Sequence, residues 1–327
     1  MRKEVLAVGC ALMVFCGCGK NNAAQHYESG WAAMEKKDYT TAVNEFQQVI
    51  DQNSRLAESY RAEGIAYYSE KAYPEAIAAF SRSLNNMDDP DKEFKKDVQF
   101  YLAQARMDYG EVDKAIEVYS EILKAGEDEQ AFFLRGKAYI SMEDYKNAEK
   151  DFQRALEGCE DYNLYINIYQ IYVDHNKAVD GDAYLKMALE LEPQDGEDCY
   201  HRGRIYEYEK NYEAARDELK TAMEQGYEDA MLLLGRVYLE MEDPASARSM
   251  YQEYLQKSEQ GAKAYNGLAM CDIYDGAYDS ALENIAQGLK ENSKEDEQGL
   301  LYNEIVAYEY KRDFATAKEK MKIYLEQ

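Results

Sequence analysis

The chain has 327 residues, with 64 Asp and Glu against 38 Lys and Arg, for a formal net charge of −26 at neutral pH. That balance repels nucleic-acid phosphates and anionic lipid headgroups while favouring solubility, so a nucleic-acid-binding protein is excluded. In chain order, the first element is an export-type segment. Met1, Arg2 and Lys3 put positive charge ahead of an apolar run from Val5 to Cys16. The run is too short to cross a bilayer and reads as a signal that is removed. Its removal takes away Arg2, Lys3 and Glu4, which leaves the mature chain one unit more negative.

The run closes with Phe15-Cys16-Gly17-Cys18. This Gly-Cys ending resembles the lipobox of bacterial lipoproteins, with Phe15 and Cys16 where Leu and Ala or Ser are more usual. The resemblance implies acylation of the Cys18 thiol and a mature chain that begins there. Residues 1–17 are then signal, 18–22 a short tether, and 23–327 the folded part. An ordinary signal cleaved near Ala23 or Ala24 is the alternative. A lipid on Cys18 holds the chain to the extracytoplasmic side of a bacterial membrane, and Gly19 to Asn22 reach only roughly 15 Å when extended.

From Gly30 onward a small residue is followed twelve positions later by Ala, about every 34 residues. The pairs are Gly30/Ala42, Gly64/Ala76, Ala103/Ala115, Gly136/Ala148, Gly203/Ala215, Gly235/Ala247 and Ala269/Ala281, with degenerate copies at Tyr169/Gly181 and Ile305/Ala317. A period of this size predicts stacked helix pairs. Where two antiparallel helices cross closely, there is no room for a side chain longer than a methyl. Aromatics fill in around the crossing: Tyr67, Tyr139 and Tyr206 stand three after the first small residue, and Phe46, Phe80 and Phe152 four after the second. Those offsets keep each aromatic on the face of its small partner.

At these residues the chain resembles the tetratricopeptide repeat, whose pattern runs L-G-x2-Y, then A-x3-F, then Pro. GIAYYSEKAYPEAIAAF and GKAYISMEDYKNAEKDF carry it, and MALELEP carries its closing Pro193. The resemblance implies an all-α α-solenoid of about nine helix-turn-helix units wound into a superhelix over residues 23–327. Its fifth unit, Tyr162 to Gln194, fits least well, because Tyr169 replaces Gly. Pro74 and Pro244 open second helices, where a missing N–H costs little. The longer step from Ala76 to Ala115 marks residues 88–96 as the expected hinge. An array grows linearly, so one elongated domain is expected despite the length.

Nothing in the chain points to an enzyme. Cys159, Cys199 and Cys271 are an odd set in different units with no metal-ligand spacing, and they read as buried thiols. His26, His175 and His201 are scattered, and no phosphate loop or nucleophile motif occurs. No cofactor or metal is expected.

Function is sought on the stripe that the core leaves free. Residues three before and one after the first small residue share a flank of the first helix. In tetratricopeptide arrays that flank lines a concave groove holding an extended peptide or a helix. Here it carries Trp31, Phe100, Phe133, Tyr200 and Tyr302, with Lys137, Arg204 and Arg236 as basic residues and Asn163 and Asn167 nearby. An acidic and apolar guest segment from a protein partner is expected. The alternative is that these aromatics pack between neighbouring first helices and that the basic residues pair with local Glu. The set that grips a chaperone tail is missing, since Tyr27, Trp31, Ala62, Asp97 and Tyr101 stand in its places. Glycan stacking on Trp31 and the tyrosines of an envelope lipoprotein is the alternative function. At the far end the sequence stops at Gln327 within a second helix, so Met321 and Tyr324 are expected to face outward and dock a partner or a second copy.

Overall fold

The computed structural model describes residues 22–87, 91–258, 261–291 and 294–326, so the expected signal, Cys18 and most of the tether lie outside the described residues. Among the described residues the regular elements are eighteen α-helices, which pair into nine repeats. They fall into two compact units, Met1–Cys159 and Glu160–Gln327. The first unit holds α1 (Asn22–Glu35), α2 (Tyr39–Asp51), α3 (Leu56–Ser69), α4 (Tyr73–Asn85), α5 (Lys92–Tyr109), α6 (Val112–Ala125), α7 (Glu129–Ser141) and α8 (Tyr145–Ala155). The second holds α9 (Tyr162–Asp174), α10 (Ala178–Leu189), α11 (Gly196–Tyr208), α12 (Tyr212–Glu224), α13 (Ala230–Glu240), α14 (Pro244–Lys257), α15 (Ala262–Tyr274), α16 (Tyr278–Lys290), α17 (Lys294–Tyr310) and α18 (Phe314–Glu326).

The stretch 88–96, where a hinge is expected, lies inside the first unit. Residues 88–90 are outside the described set, and α5 begins at Lys92 and runs for 18 residues against 14 in α3. The long step in the repeat therefore includes a lengthened helix.

Each repeat turns between its helices through one left-handed residue. These are Lys37, Lys71, Gly110, Glu143, Asn176, Lys210, Glu242, Gly276 and Arg312. For the non-glycine members this conformation costs about 1 kcal/mol each, and the next residue often offsets it by capping the second helix. Asp38, Asp144, Asn211 and Asp243 each accept a hydrogen bond from the backbone N–H three residues on. Pro74 and Pro244 stand in the first turns of α4 and α14, as the spacing predicts.

The crossing differs in detail from a small residue facing a small residue. A Cβ on Gly30, Gly64 or Gly136 would lie 2.5, 2.6 or 2.7 Å from the ring of Phe46, Phe80 or Phe152 respectively. Each glycine thus makes room for the aromatic of the second helix, and the paired Ala is buried beside it. In the fifth repeat Gly181 of α10 packs against Tyr169 and Tyr172 of α9, which settles its register.

Directly before the small residue the register is apolar in Leu102, Leu234 and Leu268, all buried, but charged in four other repeats. Arg135 donates to both carboxylate oxygens of Asp151 at 2.7 and 2.8 Å. Arg202 donates to Glu218 at 2.8 Å, and Lys320 meets Glu304 at 2.7 Å with the signs exchanged. Each partner stands sixteen residues on, in the second helix of the same repeat.

Glu63 occupies that register in the second repeat, where the partner position is Ala79. It is 3% exposed, and its Oε2 has no hydrogen-bond partner among the described residues. Burial pushes its carboxyl pKa up, against the pull of Arg82. Glu63→Leu is therefore expected to stabilise the chain by about 1–3 kcal/mol near neutral pH, the usual cost of an orphaned buried polar group. The sign with pH follows from the raised value: the folded state holds this proton more tightly than the unfolded one. Wild-type stability falls as pH rises from the unfolded value near 4.5 through the higher folded one. Urea midpoints at about pH 7 and about pH 4 should show the variant's advantage shrinking in acid. A variant weaker than wild type at neutral pH contradicts the assignment.

Cys199 and Cys271 are buried, as expected, whereas Cys159 is half-buried. Burial pushes the Cys271 thiol up to about 11, which leaves it unreactive at neutral pH.

Candidate binding groove

In the second unit the first helices of successive repeats touch in series: α9 with α11, α11 with α13, α13 with α15, and α15 with α17. This brings their stripe positions side by side. A recess of about 660 Å³ opens there. Its lining includes Tyr200, Leu232 and Asn266, three before the small residues of their repeats, and Arg236 and Met270, one after. Three consecutive repeats thus build one concavity from the expected stripe.

Asp229 and Lys263 also line it, six residues before the small positions of α13 and α15. They extend the stripe by one further helical turn, so continuing the same i−3 step would have found them. Glu291 from the end of α16, Asp296 of α17 and Tyr251 and Tyr254 of α14 complete the walls, and no stripe on the first helices could have indicated the tyrosines.

The charge here is mixed where a basic groove is expected. Asp229 accepts a hydrogen bond from the Tyr254 hydroxyl at 3.3 Å, and Glu291 from the Gly261 N–H at 3.4 Å. The Asn266 carbonyl oxygen accepts from the Asn303 amide at 2.7 Å. Arg236 donates to Glu207 at 2.8 Å while half of its side chain stays in solvent. Lys263 is exposed and forms no ion pair among the described residues. With Asp229 and Glu291 turned to internal donors, Lys263 is the rim charge most open to a guest.

One wall joins a second cluster. Tyr200 packs against Tyr227 with ring centroids 4.9 Å apart and against His201 at 5.4 Å. Burial pushes the Tyr200 phenol up, against the pull of Arg204 and Arg236. Arg204 lies 5.9 Å from the Tyr200 ring and 3.3 Å from Nδ1 of His201, while Asn163 of α9 meets Nε2 at 3.0 Å. Asn163, Tyr200 and Arg204 therefore converge on His201, which sequence reasoning set aside because no metal or nucleophile motif surrounds it. Burial and Arg204 hold the pKa of His201 below its ordinary value.

The other expected residues do not share this cluster. Asn167 is exposed on α9. Tyr302 is 54% exposed and lies tilted against the half-buried Tyr324 at 6.4 Å. Met321 and Ile323 are exposed on α18, and Leu325 more so at 74%, so Tyr324 turns partly inward while its neighbours do not. In the first unit Trp31 lies edge-on to Phe46 at 5.6 Å. Phe100 meets Tyr119 at 6.4 Å and Phe133 meets Phe152 at 6.1 Å, so each ring packs on the second helix of its own repeat and not on a neighbouring first helix. Lys137 is exposed. Among the described residues there is no cluster suited to a metal and no helix long and apolar enough to cross a membrane.

Tetratricopeptide repeat sequence patterns match residues 27–91, 129–161, 200–262 and 232–297. No curated protein matches the chain significantly. Among solved structures, the chain is similar to yeast Tom70 at 15% identity, with 96% of this chain and 70% of that one covered and a TM-score of 0.53. It is similar to a tetratricopeptide repeat protein from Parabacteroides merdae at 16% identity, covering 87% of this chain and 99% of that one, TM-score 0.48. YrrB, described as a TPR protein with an unusual peptide-binding site, is 26% identical over 54% of this chain and 91% of its own, TM-score 0.34. The Tom70 likeness shows the fold alone.

Proposed function

Because the chain belongs to the tetratricopeptide repeat family, whose members are generally non-enzymatic scaffolds that bind protein partners, we propose that it is a lipid-anchored scaffold of the bacterial envelope. Its groove in the second unit receives an acidic and apolar segment of a partner protein. The observation that carries this reading is the recess of about 660 Å³ formed by equivalent stripe positions of three successive repeats. Tyr200, Leu232 and Met270 offer apolar surface to the segment, Asn266 an amide, and Lys263 and Arg236 meet its carboxylates. The anchor is Cys18, supported by the apolar run that ends at Gly17-Cys18.

The test is co-purification of the full-length protein from its own membranes, compared with an Arg236→Glu/Lys263→Glu/Met270→Glu variant. All three side chains are exposed, so each change should alter stability by no more than about 0.5 kcal/mol. Partner recovery is expected to fall at least tenfold, roughly 1.4 kcal/mol, and wild-type capture should weaken as salt rises. Unchanged recovery by the variant rejects the groove. In the same fractionation Cys18→Ala should block lipid attachment and signal processing together, leaving no acylated mature form, and an acylated variant cut before residue 18 rejects the anchor.

A further inference from the structure

His201 is 5% exposed yet sits among three residues of the groove stripe and its edge. A guanidinium can only donate, so the Arg204 Nη1 at 3.3 Å requires a bare lone pair on Nδ1. Neutral imidazole then carries its proton on Nε2. That proton points at the Asn163 amide, whose Nδ2 stands 3.0 Å away, so the amide must be turned over to bring its oxygen to Nε2 as the acceptor. Tyr162 covers the ring from α9 in near-parallel stacking at 6.5 Å. In this state His201 holds Arg204 against the helix, beside Tyr200.

A second proton has only Nδ1 to go to. There it removes the acceptor of Arg204 and sets two positive groups against each other in a site largely closed to water. Asn163 keeps its bond to Nε2–H, so the imidazolium stays where it is and Arg204 leaves. The side chain of Arg204 is only partly buried and stands one residue after Gly203, on the stripe itself. We propose that His201 is a proton-operated latch on Arg204, so that the second-unit groove grips an acidic segment more tightly as the medium acidifies. The inference rests on the groove reading above and adds its regulation.

The groups that face His201 act in both directions. Arg204 disfavours the charged ring, as burial does, while Glu197 of α11 at 3.8 Å favours it, as do Asp161 before α9 and Asp198 on α11. Tyr162 and Tyr200 contribute only their rings. Burial and Arg204 win, so the latch opens on the acid side of 6.5, the ordinary histidine value.

The experiment measures binding of a fluorescent peptide rich in Glu with interspersed Leu to the full-length protein, by anisotropy at constant ionic strength, at about pH 7.5 and about pH 5.5, where glutamates remain largely ionised. Binding about tenfold tighter at the lower pH is expected, within the usual range for coupled sites. His201→Gln, which can accept from Arg204 and donate to Asn163 without titrating, should bind equally at both. If that variant fails to fold, Arg204→Gln should erase the gain in its place. Side-chain NMR of the wild type should show the Arg204 resonances moving with the His201 midpoint. Equal wild-type affinity at the two pH values, or Arg204 resonances that ignore His201, overturns the latch and leaves the groove standing. Absence of binding at either pH overturns the groove reading and the latch with it.

Discussion

Asp151→Ala is expected to destabilise the first unit by about 3 kcal/mol, the lower end of the cost of breaking a buried ion pair from one side. Asp151 is 5% exposed and receives both parallel bonds of Arg135, whose third contact is the Ser120 hydroxyl at 2.9 Å. The carboxylate holds the Arg135 pKa up against desolvation. Without it the guanidinium keeps the Ser120 hydroxyl, the faces of Phe132 and Tyr139 at 5.9 Å and a narrow edge of solvent. Replacing both partners, as Arg135→Leu/Asp151→Leu, recreates the apolar register that the third repeat builds from Leu102 and Val118, and should return stability to within about 1.5 kcal/mol of wild type. Urea unfolding of the three proteins decides it. A single variant within experimental error of wild type means that the pair is solvated and not part of the core.

The other large effect is expected at Tyr251, whose ring lies between two glycines of successive first helices. A Cβ on Gly235 would lie 2.6 Å from its Cζ, and one on Gly267 would lie closer still. Burial pushes its phenol up. Tyr251→Ala removes a buried ring whose place two glycine backbones cannot refill, with a cost of about 3–5 kcal/mol. Tyr251→Leu should cost less, because the sixth repeat already seats Leu219 against Gly203 in the equivalent place. Gly267→Ala attacks the same contact from the other side, and overpacking there should cost about 1–3 kcal/mol. Since Tyr251 also lines the recess, the Ala variant should lose partner capture along with stability. Thermal melts that rank Tyr251→Ala above Tyr251→Leu contradict this account.

The helix pairs were readable because their cause is local and repeated. Small residues at fixed spacing, aromatics at i+3 and i+4, and prolines at helix starts each act within one turn or one crossing, and nine copies in register make the pattern visible. The turns inside the repeats were not readable in the same way. Seven of their nine left-handed residues are Lys, Glu, Asn or Arg, so packing of the two helices imposes the conformation without the usual Gly signal. The register before the small residue carried a legible clue in hindsight: Arg135 with Asp151, Arg202 with Glu218, and Glu304 with Lys320 share one spacing. That spacing carries little information by itself, because opposite charges sixteen residues apart are common in an acidic, helical chain.

For the groove, sequence periodicity by itself determined which positions of each first helix share one flank, since that follows from 100° per residue and the position of the crossing. Tertiary structure alone decided what each flank residue does. Phe100 and Phe133 turn to their own core, Arg236 finds Glu207, and Arg204 is tied to a histidine two helices away from Asn163. It alone also revealed Tyr254 and Glu291 in the recess, and Glu63 stranded opposite Ala79. The physical reason is range: a periodic pattern records how a helix meets its immediate neighbour, whereas charge pairing and concavity depend on side chains that several helices bring to one point.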